Sequence, residues 1–171
     1  MRRTVTRAAA VVSLLVFLAG CAVLASAVLD RPASTVRREM VVSAPRVRIW
    51  RLLTNFEQYE RWNPYVVQAR GDARIGNQLT FGTEDGDEIE PEVMDVKAQR
   101  KLRWRSRRLA PGILDEEQTF RIIPVGDGRF RLVYEGRIEG VLAPFSDTSS
   151  REQGYVRMLQ ALAREASRAD A

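Results

Sequence analysis

The stretch from Gln118 to Glu139 restricts this chain more than any other. Gln118, Phe120 and Ile122 fall on one side of a two-residue alternation, and Gly126-Asp127-Gly128 interrupts it. Phe130, Leu132, Tyr134 and Ile138 then resume the alternation, against Arg131, Glu135, Arg137 and Glu139 on the other side. A period of two is that of a strand with one wet face and one dry face. The Gly-Asp-Gly triplet fits a three-residue hairpin loop with Gly128 in the left-handed conformation. Gly136 and Gly140 are the places where such a strand can bend. A long two-faced hairpin needs a cover for its apolar side. The C-terminal segment supplies one. From about Ser149 to Ser167, Tyr155, Met158, Leu159, Leu162 and Ala166 recur at helical spacing, while Arg151, Arg157 and Arg164 lie largely elsewhere on the wheel.

The chain before the hairpin supplies more strands. Val36 to Val42, Val66 to Ala69 and Gln78 to Thr83 read as extended, the last with Leu79 and Phe81 on one side; Gly71-Asp72, Gly76-Asn77 and Glu84-Asp85-Gly86-Asp87 read as turns. Glu88 to Val96 is acidic and Lys101 to Arg107 basic, joined by the loop Lys97-Ala98-Gln99-Arg100. Antiparallel pairing sets Glu92 opposite Arg105, Glu90 opposite Arg107 and Val93 opposite Trp104. Each opposite-charge pair contributes roughly 0.2–1 kcal/mol. The arginine run therefore reads as a solvated, charge-paired outer face, with contact to anionic lipid headgroups as the alternative. Leu109 to Leu114 is an apolar loop that serves either as a pocket lid or as packing over the sheet edge.

Between the first two strands lies a helix, with Ser43 as a candidate cap and Pro45 suited to the first turn. Val47, Ile49, Trp50, Leu52, Leu53 and Phe56 form its apolar face, and a ring-rich turn follows at Trp62-Asn63-Pro64. Strand, short helix, several antiparallel strands and a long amphipathic helix make an α+β order.

At the N-terminus, Ala8 to Leu29 carries no charge; Arg2, Arg3 and Arg7 precede it and Asp30-Arg31-Pro32 follow. Roughly 20 apolar residues span a bilayer as a helix, and the arginine side stays in the cytoplasm. The run fits a retained signal anchor. Leu18-Ala19-Gly20-Cys21 also fits a lipoprotein signal with lipidation at Cys21, and Ala25-Ser26-Ala27 fits cleavage for secretion. All three readings put the folded part at or beyond the outer face of the cell membrane. The division is 1–29 as signal anchor or lipoprotein signal, 30–35 as tether, and 36–171 as the domain.

Composition removes whole classes of function. With no His and one Cys, the chain has no internal disulfide, no histidine zinc ligand and no Ser-His-Asp or Cys-His device. No metal and no cofactor is expected. The net charge of +5 leans on the three leading arginines, and all 22 acidic residues follow the apolar run. The remainder is an ordinary surface, and nucleic acid is not an expected partner.

The order Ala44-Pro45, Val47 to Leu53, Phe56, Tyr59 and Trp62-Asn63-Pro64, followed by Leu102-Arg103-Trp104, the Phe120 to Gly128 hairpin and Glu135-Gly136-Arg137-Ile138-Glu139-Gly140-Val141-Leu142, resembles the START-like (SRPBCC) superfamily. The likeness is to its polyketide cyclase/dehydrase and lipid-transport branch. That resemblance implies a helix-grip fold, a curved antiparallel sheet around the C-terminal helix with a cavity between them for an apolar or aromatic small molecule or lipid. Strand alternation selects Phe81, Val93, Trp104, Gln118, Phe120, Leu132 and Tyr134 to face that cavity, closed by Tyr155, Met158 and Leu159, with Trp62 and Tyr65 near the mouth. Relatives often carry His at the position of Gln118, so a His-assisted cyclase or dehydratase reaction has no base here. A catalytic version would rest on Tyr134 or Tyr155 as proton donor, Glu92 or Asp95 as base and an Arg as oxyanion stabiliser. The functions in view are a membrane-tethered binding module, a cyclase-like enzyme without His, and a protein-interaction module with a vestigial cavity.

Overall fold

The computed structural model describes residues 34–146 and 149–168, together with Gly20. Apart from Gly20, the segment expected to be a signal anchor or lipoprotein signal, Cys21 included, and the expected tether up to residue 33 therefore lie outside the described residues. No helix among the described residues is long and apolar enough to cross a membrane. In chain order the elements are β1 (Ser34–Ser43), α1 (Arg46–Thr54), a 3-10 turn (Phe56–Gln58), α2 (Tyr59–Trp62), β2 (Val66–Arg70), β3 (Thr80–Thr83), β4 (Glu88–Ile89), β5 (Glu92–Lys97), β6 (Lys101–Arg108), β7 (Leu114–Gly126), β8 (Arg129–Glu139), a second 3-10 turn (Ala143–Phe145) and α3 (Ser149–Ser167).

The strands form a five-stranded sheet, β1-β8-β7-β6-β5, and a three-stranded one, β2-β3-β4. An antiparallel bridge between Gln78 and Glu92 joins them. Beside it, Leu79 N donates to Pro91 O at 2.8 Å and Val93 N to Asn77 O at 2.9 Å. The result is one curved antiparallel surface. α3 lies in its concave side and buries Tyr155, Met158, Leu159, Leu162 and Ala166, so the α+β helix-grip architecture is the observed one.

The hairpin of β7 and β8 carries the expected facing, with Gln118, Phe120, Ile122, Leu132 and Tyr134 buried. Its turn is one residue shorter than expected. Gly126 pairs with Arg129, and Asp127 and Gly128 both take positive φ, 51° and 68°, as a two-residue type I′ turn requires. A bulge between Pro124 and Gly126 absorbs the extra residue.

Three other local expectations need correction. Ser43 does not cap α1: it ends β1 opposite Arg129, and Pro45 occupies the N-cap without a side-chain bond. The Pro45 carbonyl accepts from Arg48 N at 2.9 Å and Ile49 N at 3.2 Å. Val47 is 58% exposed, so the buried face of α1 narrows to Ile49 and Leu53, with Phe56 beyond. The single strand expected over Glu88 to Val96 is split at Glu90-Pro91, where proline has no N–H to give to a ladder. The Glu90–Arg107 pair is therefore not formed, and Arg107 Nη1 reaches Glu92 instead, at 3.2 Å.

Glu92 opposite Arg105 and Val93 opposite Trp104 do form the ladder of β5 and β6. The carboxylate that engages this arginine run most is Glu117 of β7, 2.8 Å from Arg105 and 3.3 Å from Arg103.

The turn after α2 is built by Asn63, whose Oδ1 accepts from Tyr65 N at 3.0 Å and Val66 N at 3.1 Å. An Asx turn of this kind redirects the chain without help from its neighbours. It sends Tyr65 inwards, against α3 at Gly154. A Cβ built on Gly154 would stand 2.2–2.6 Å from Tyr65 ring carbons. Glycine inside a helix ordinarily costs about 0.5–1 kcal/mol relative to alanine, so Gly154→Ala would stabilise an isolated helix. In this fold the rigid ring has to shift, and overpacking costs about 1–3 kcal/mol. Gly154→Ala is expected to lower the urea midpoint, and Gly154→Ala in a Tyr65→Ala background to restore the helical gain.

Candidate functional site

Phe81, Trp104, Phe120, Tyr134, Tyr155 and Tyr65 form an unbroken chain of rings under α3. Their centroids are 5.4 Å apart for Phe81–Trp104, 5.1 Å for Trp104–Phe120, 5.3 Å for Phe120–Tyr134, 5.3 Å for the stacked Tyr134–Tyr155 and 5.0 Å for Tyr155–Tyr65. These spacings are those of rings in direct contact. They occupy the space in which an open cavity was expected. Between sheet and helix the described residues leave a cleft of about 20 Å³, lined by Val36, Glu116, Gln118, Tyr134, Gly136 and Tyr155 among others. That is room for about one water.

The cleft is polar at its inner end. The Gln118 amide is 4% exposed, and its Oε1 has no hydrogen-bond partner among the described residues. A buried acceptor without a donor costs about 1–3 kcal/mol. The Trp104 indole N–H, near the Tyr155 hydroxyl, likewise falls short of a formed hydrogen bond. The Tyr134 hydroxyl lies over Gly136, where a Cβ would stand 2.5 Å from it; only glycine leaves that oxygen its place. Burial, then the neighbouring Tyr155 and Tyr65, pushes the Tyr134 hydroxyl pKa well up. Burial, then Tyr65, does the same to Tyr155. Both phenols stay neutral and keep their protons to donate.

At the outer end an ion pair closes the cleft. Glu116 of β7 is 6% exposed and pairs with Arg151 of α3. Beside it, Arg38 Nη2 of β1 meets Glu152 Oε1 at 3.0 Å. The two pairs fasten the first turn of α3 to the sheet.

Of the expected pocket residues, Gln118, Tyr134 and Tyr155 line the cleft. Phe81, Trp104 and Phe120 continue the ring chain, and Val93, Leu132, Met158 and Leu159 are core residues, none more than 1% exposed. Tyr65 is inside, 1% exposed, and not at a mouth. Trp62 is half-buried and packs edge-on against Tyr59 at 4.9 Å. The carboxylates considered as bases are elsewhere. Glu92 is paired with Arg107. Asp95 sits 2.8 Å from Lys101, whose hydrogen bond and charge hold its carboxyl below the usual range.

Glu116 and Arg151 were not among the expected site residues. Glu116 stands two residues before Gln118, so the same alternation places it on the dry face; its charge argued for the wet one. A larger groove, about 590 Å³, runs between β4 and β6 past Glu88, Glu92, Arg105 and Arg107. It is open, and its arginines are engaged, Arg107 with Glu92, Arg108 with Asp87 and Arg105 with Glu117. The cleft under α3 matches a ligand site better: its exposed wall is mostly apolar, and Gln118, Tyr134 and Tyr155 converge inside a rim of charged side chains, Glu116, Arg137, Arg151 and Glu152. No cluster of ligating side chains that could hold a metal occurs among the described residues.

No curated protein matches the sequence. Among solved structures, protein MLL2253 from Mesorhizobium loti aligns with a TM-score of 0.62 at 21% identity, over 81% of this chain and 100% of that one. A START superfamily protein from Mycobacterium smegmatis aligns with a TM-score of 0.61 at 20% identity, over 77% and 96%. DynU16, a putative protein of the dynemicin biosynthetic locus, aligns with a TM-score of 0.62 at 22% identity, over 81% of this chain and 51% of that one. At these identities the likeness is one of fold. The sequence profile of a single family covers residues 33–167, nearly the whole of the sheet and its helix, and by that match the chain belongs to the polyketide cyclase/dehydrase and lipid transport family.

Proposed function

We propose that this domain is a membrane-tethered module that binds a hydrophobic small molecule or lipid with a hydrogen-bond donor at one end, on the outer side of the cell membrane. The observation that carries the reading is the buried Gln118 Oε1, unpartnered at the inner end of an aromatic-walled cleft. A ligand donor there would offset the cost of an orphaned acceptor. Tyr134 and Tyr155, held neutral by burial, flank the same point. Because the cleft holds only about 20 Å³, the ligand is admitted by parting the first turns of α3 from the sheet at Glu116–Arg151, with the Tyr134 and Tyr155 rings swinging aside. The tether is the uncharged run Ala8 to Leu29, whose leading arginines favour the cytoplasmic side.

Native mass spectrometry of the chain from residue 30 onward, after exposure to a membrane extract, tests this. A retained small molecule at one per chain is expected, and Gln118→Leu should lose it. The same substitution removes the orphaned acceptor, so it should leave the fold as stable as before or more stable by about 1 kcal/mol. A protein that stays empty under every lipid exposure overturns the reading.

A further inference from the structure

At one end of the sheet, β6 turns into β7 through residues 109–113, and β8 leaves through residues 140–146. The two loops are fastened together: Val141 N donates to Gly112 O at 3.1 Å and Leu142 N to Ile113 O at 2.9 Å. Together they make one projection, and three of its large apolar side chains are uncovered. Leu109 is 86% exposed, Phe145 76% and Leu142 39%. Single exposed apolar residues are ordinary; a gathering of them at one tip marks a contact surface. Leu109 also has φ 71°, a region that favours Gly or Asn and disfavours a bulky side chain. Nothing it packs against explains that backbone, and strain of this kind gathers where function demands it.

The chain's own path says what covers the tip. In the ladder of β1 and β8, Ser34 stands opposite Ile138, so β1 begins at this same end. Residues 30–33, which reach no more than roughly 20 Å when extended, separate it from the uncharged run that ends at Leu29. We infer that the tip formed by Leu109, Leu142 and Phe145 docks on the lipid bilayer to which the chain is tethered, its apolar side chains entering the interfacial layer. The inference rests on the tethering part of the proposed function and not on the cleft. It also places the mouth of the cleft, at Glu116 and Arg151, towards the membrane, since β7 begins and α3 starts at this end. The arginines next to the tip are engaged, Arg107 with Glu92 and Arg108 with Asp87. Docking is therefore apolar in kind and insensitive to salt.

The test uses the full chain in vesicles of phosphatidylethanolamine and phosphatidylglycerol, with benzoylphenylalanine in place of Phe145, of Leu109, or of Val47 as a control. Val47 is 58% exposed and follows the far end of β1. After irradiation, lipid adducts at Phe145 and Leu109 should exceed those at Val47 by roughly tenfold, the ratio that burial of one such side chain supports. The excess should persist in high salt, and Leu109→Asp should reduce the adduct at position 145. Equal yields at all three positions in a chain that floats with the vesicles would overturn the docking and leave the tether standing. Adducts to protein alone at the tip would overturn it in favour of a protein partner. A chain that does not float with the vesicles overturns tether and docking together.

Discussion

Arg151→Leu should lower the unfolding free energy by about 3–5 kcal/mol, the range for removing one partner of a buried ion pair. Glu116 is 6% exposed, and Arg151, with its side chain 19% exposed, is the cation that engages it. Without it a buried carboxylate is left under α3 without its salt-bridge partner. The double variant Glu116→Leu/Arg151→Leu should recover most of the loss, because a well-packed apolar pair is often as stable as the ion pair it replaces. The neighbouring pair gives the contrast. Arg38 and Glu152 have side chains 50% and 32% exposed, so Arg38→Leu should cost no more than about 1 kcal/mol. Urea titration of the four proteins decides it. If Arg151→Leu proves as mild as Arg38→Leu, Glu116 is reached by solvent and the pair is no clasp. If the double variant is stable but admits ligand faster, the pair acts as a gate as well as a fastening.

The register of β5 on β6 was legible because two independent patterns agree on it, charge complementarity at Glu92 and Arg105 and apolar matching at Val93 and Trp104. The break at Pro91 was missed, although proline cannot serve the ladder, because the acidic run on either side reads as continuous. Within the site, Gln118 and Tyr134 follow from alternation alone. Glu116 follows from the same rule one step earlier, against the expectation that charge points outwards. The volume of the interior was not legible. Alternation says which way a side chain faces, but not whether opposing side chains meet. Here Trp104, Phe120, Tyr134 and Tyr155 meet ring to ring, which depends on how sharply the sheet curves. The positive φ of Leu109 had no sequence signal either, since leucine gives none for that conformation.

The rings under α3 also predict how the fold fails in alkali. The chain has four tyrosines, and Tyr59, Tyr65, Tyr134 and Tyr155 are all buried. Burial pushes the Tyr65 hydroxyl up to about 12 and the Tyr59, Tyr134 and Tyr155 hydroxyls well up. Above the unfolded value near 10, the unfolded chain releases phenol protons that the folded chain keeps. The unfolded state then binds fewer protons, so stability falls as pH rises. Below pH 10 the contribution is fully present. Between pH 10 and 12 each buried tyrosine removes about 1.4 kcal/mol per pH unit, and four together about 5 kcal/mol. Over those two units the loss approaches about 10 kcal/mol, comparable with the whole 5–15 kcal/mol stability typical of a domain. Phenolate absorbance should therefore appear in one cooperative step, coincident with the loss of far-ultraviolet circular dichroism. Tyr134→Phe should reduce the slope by about a quarter, because one of four linked groups no longer titrates. Phenolate forming gradually near pH 10 with the sheet intact would mean that water already reaches the rings, and that the interior opens far more readily than its packing implies.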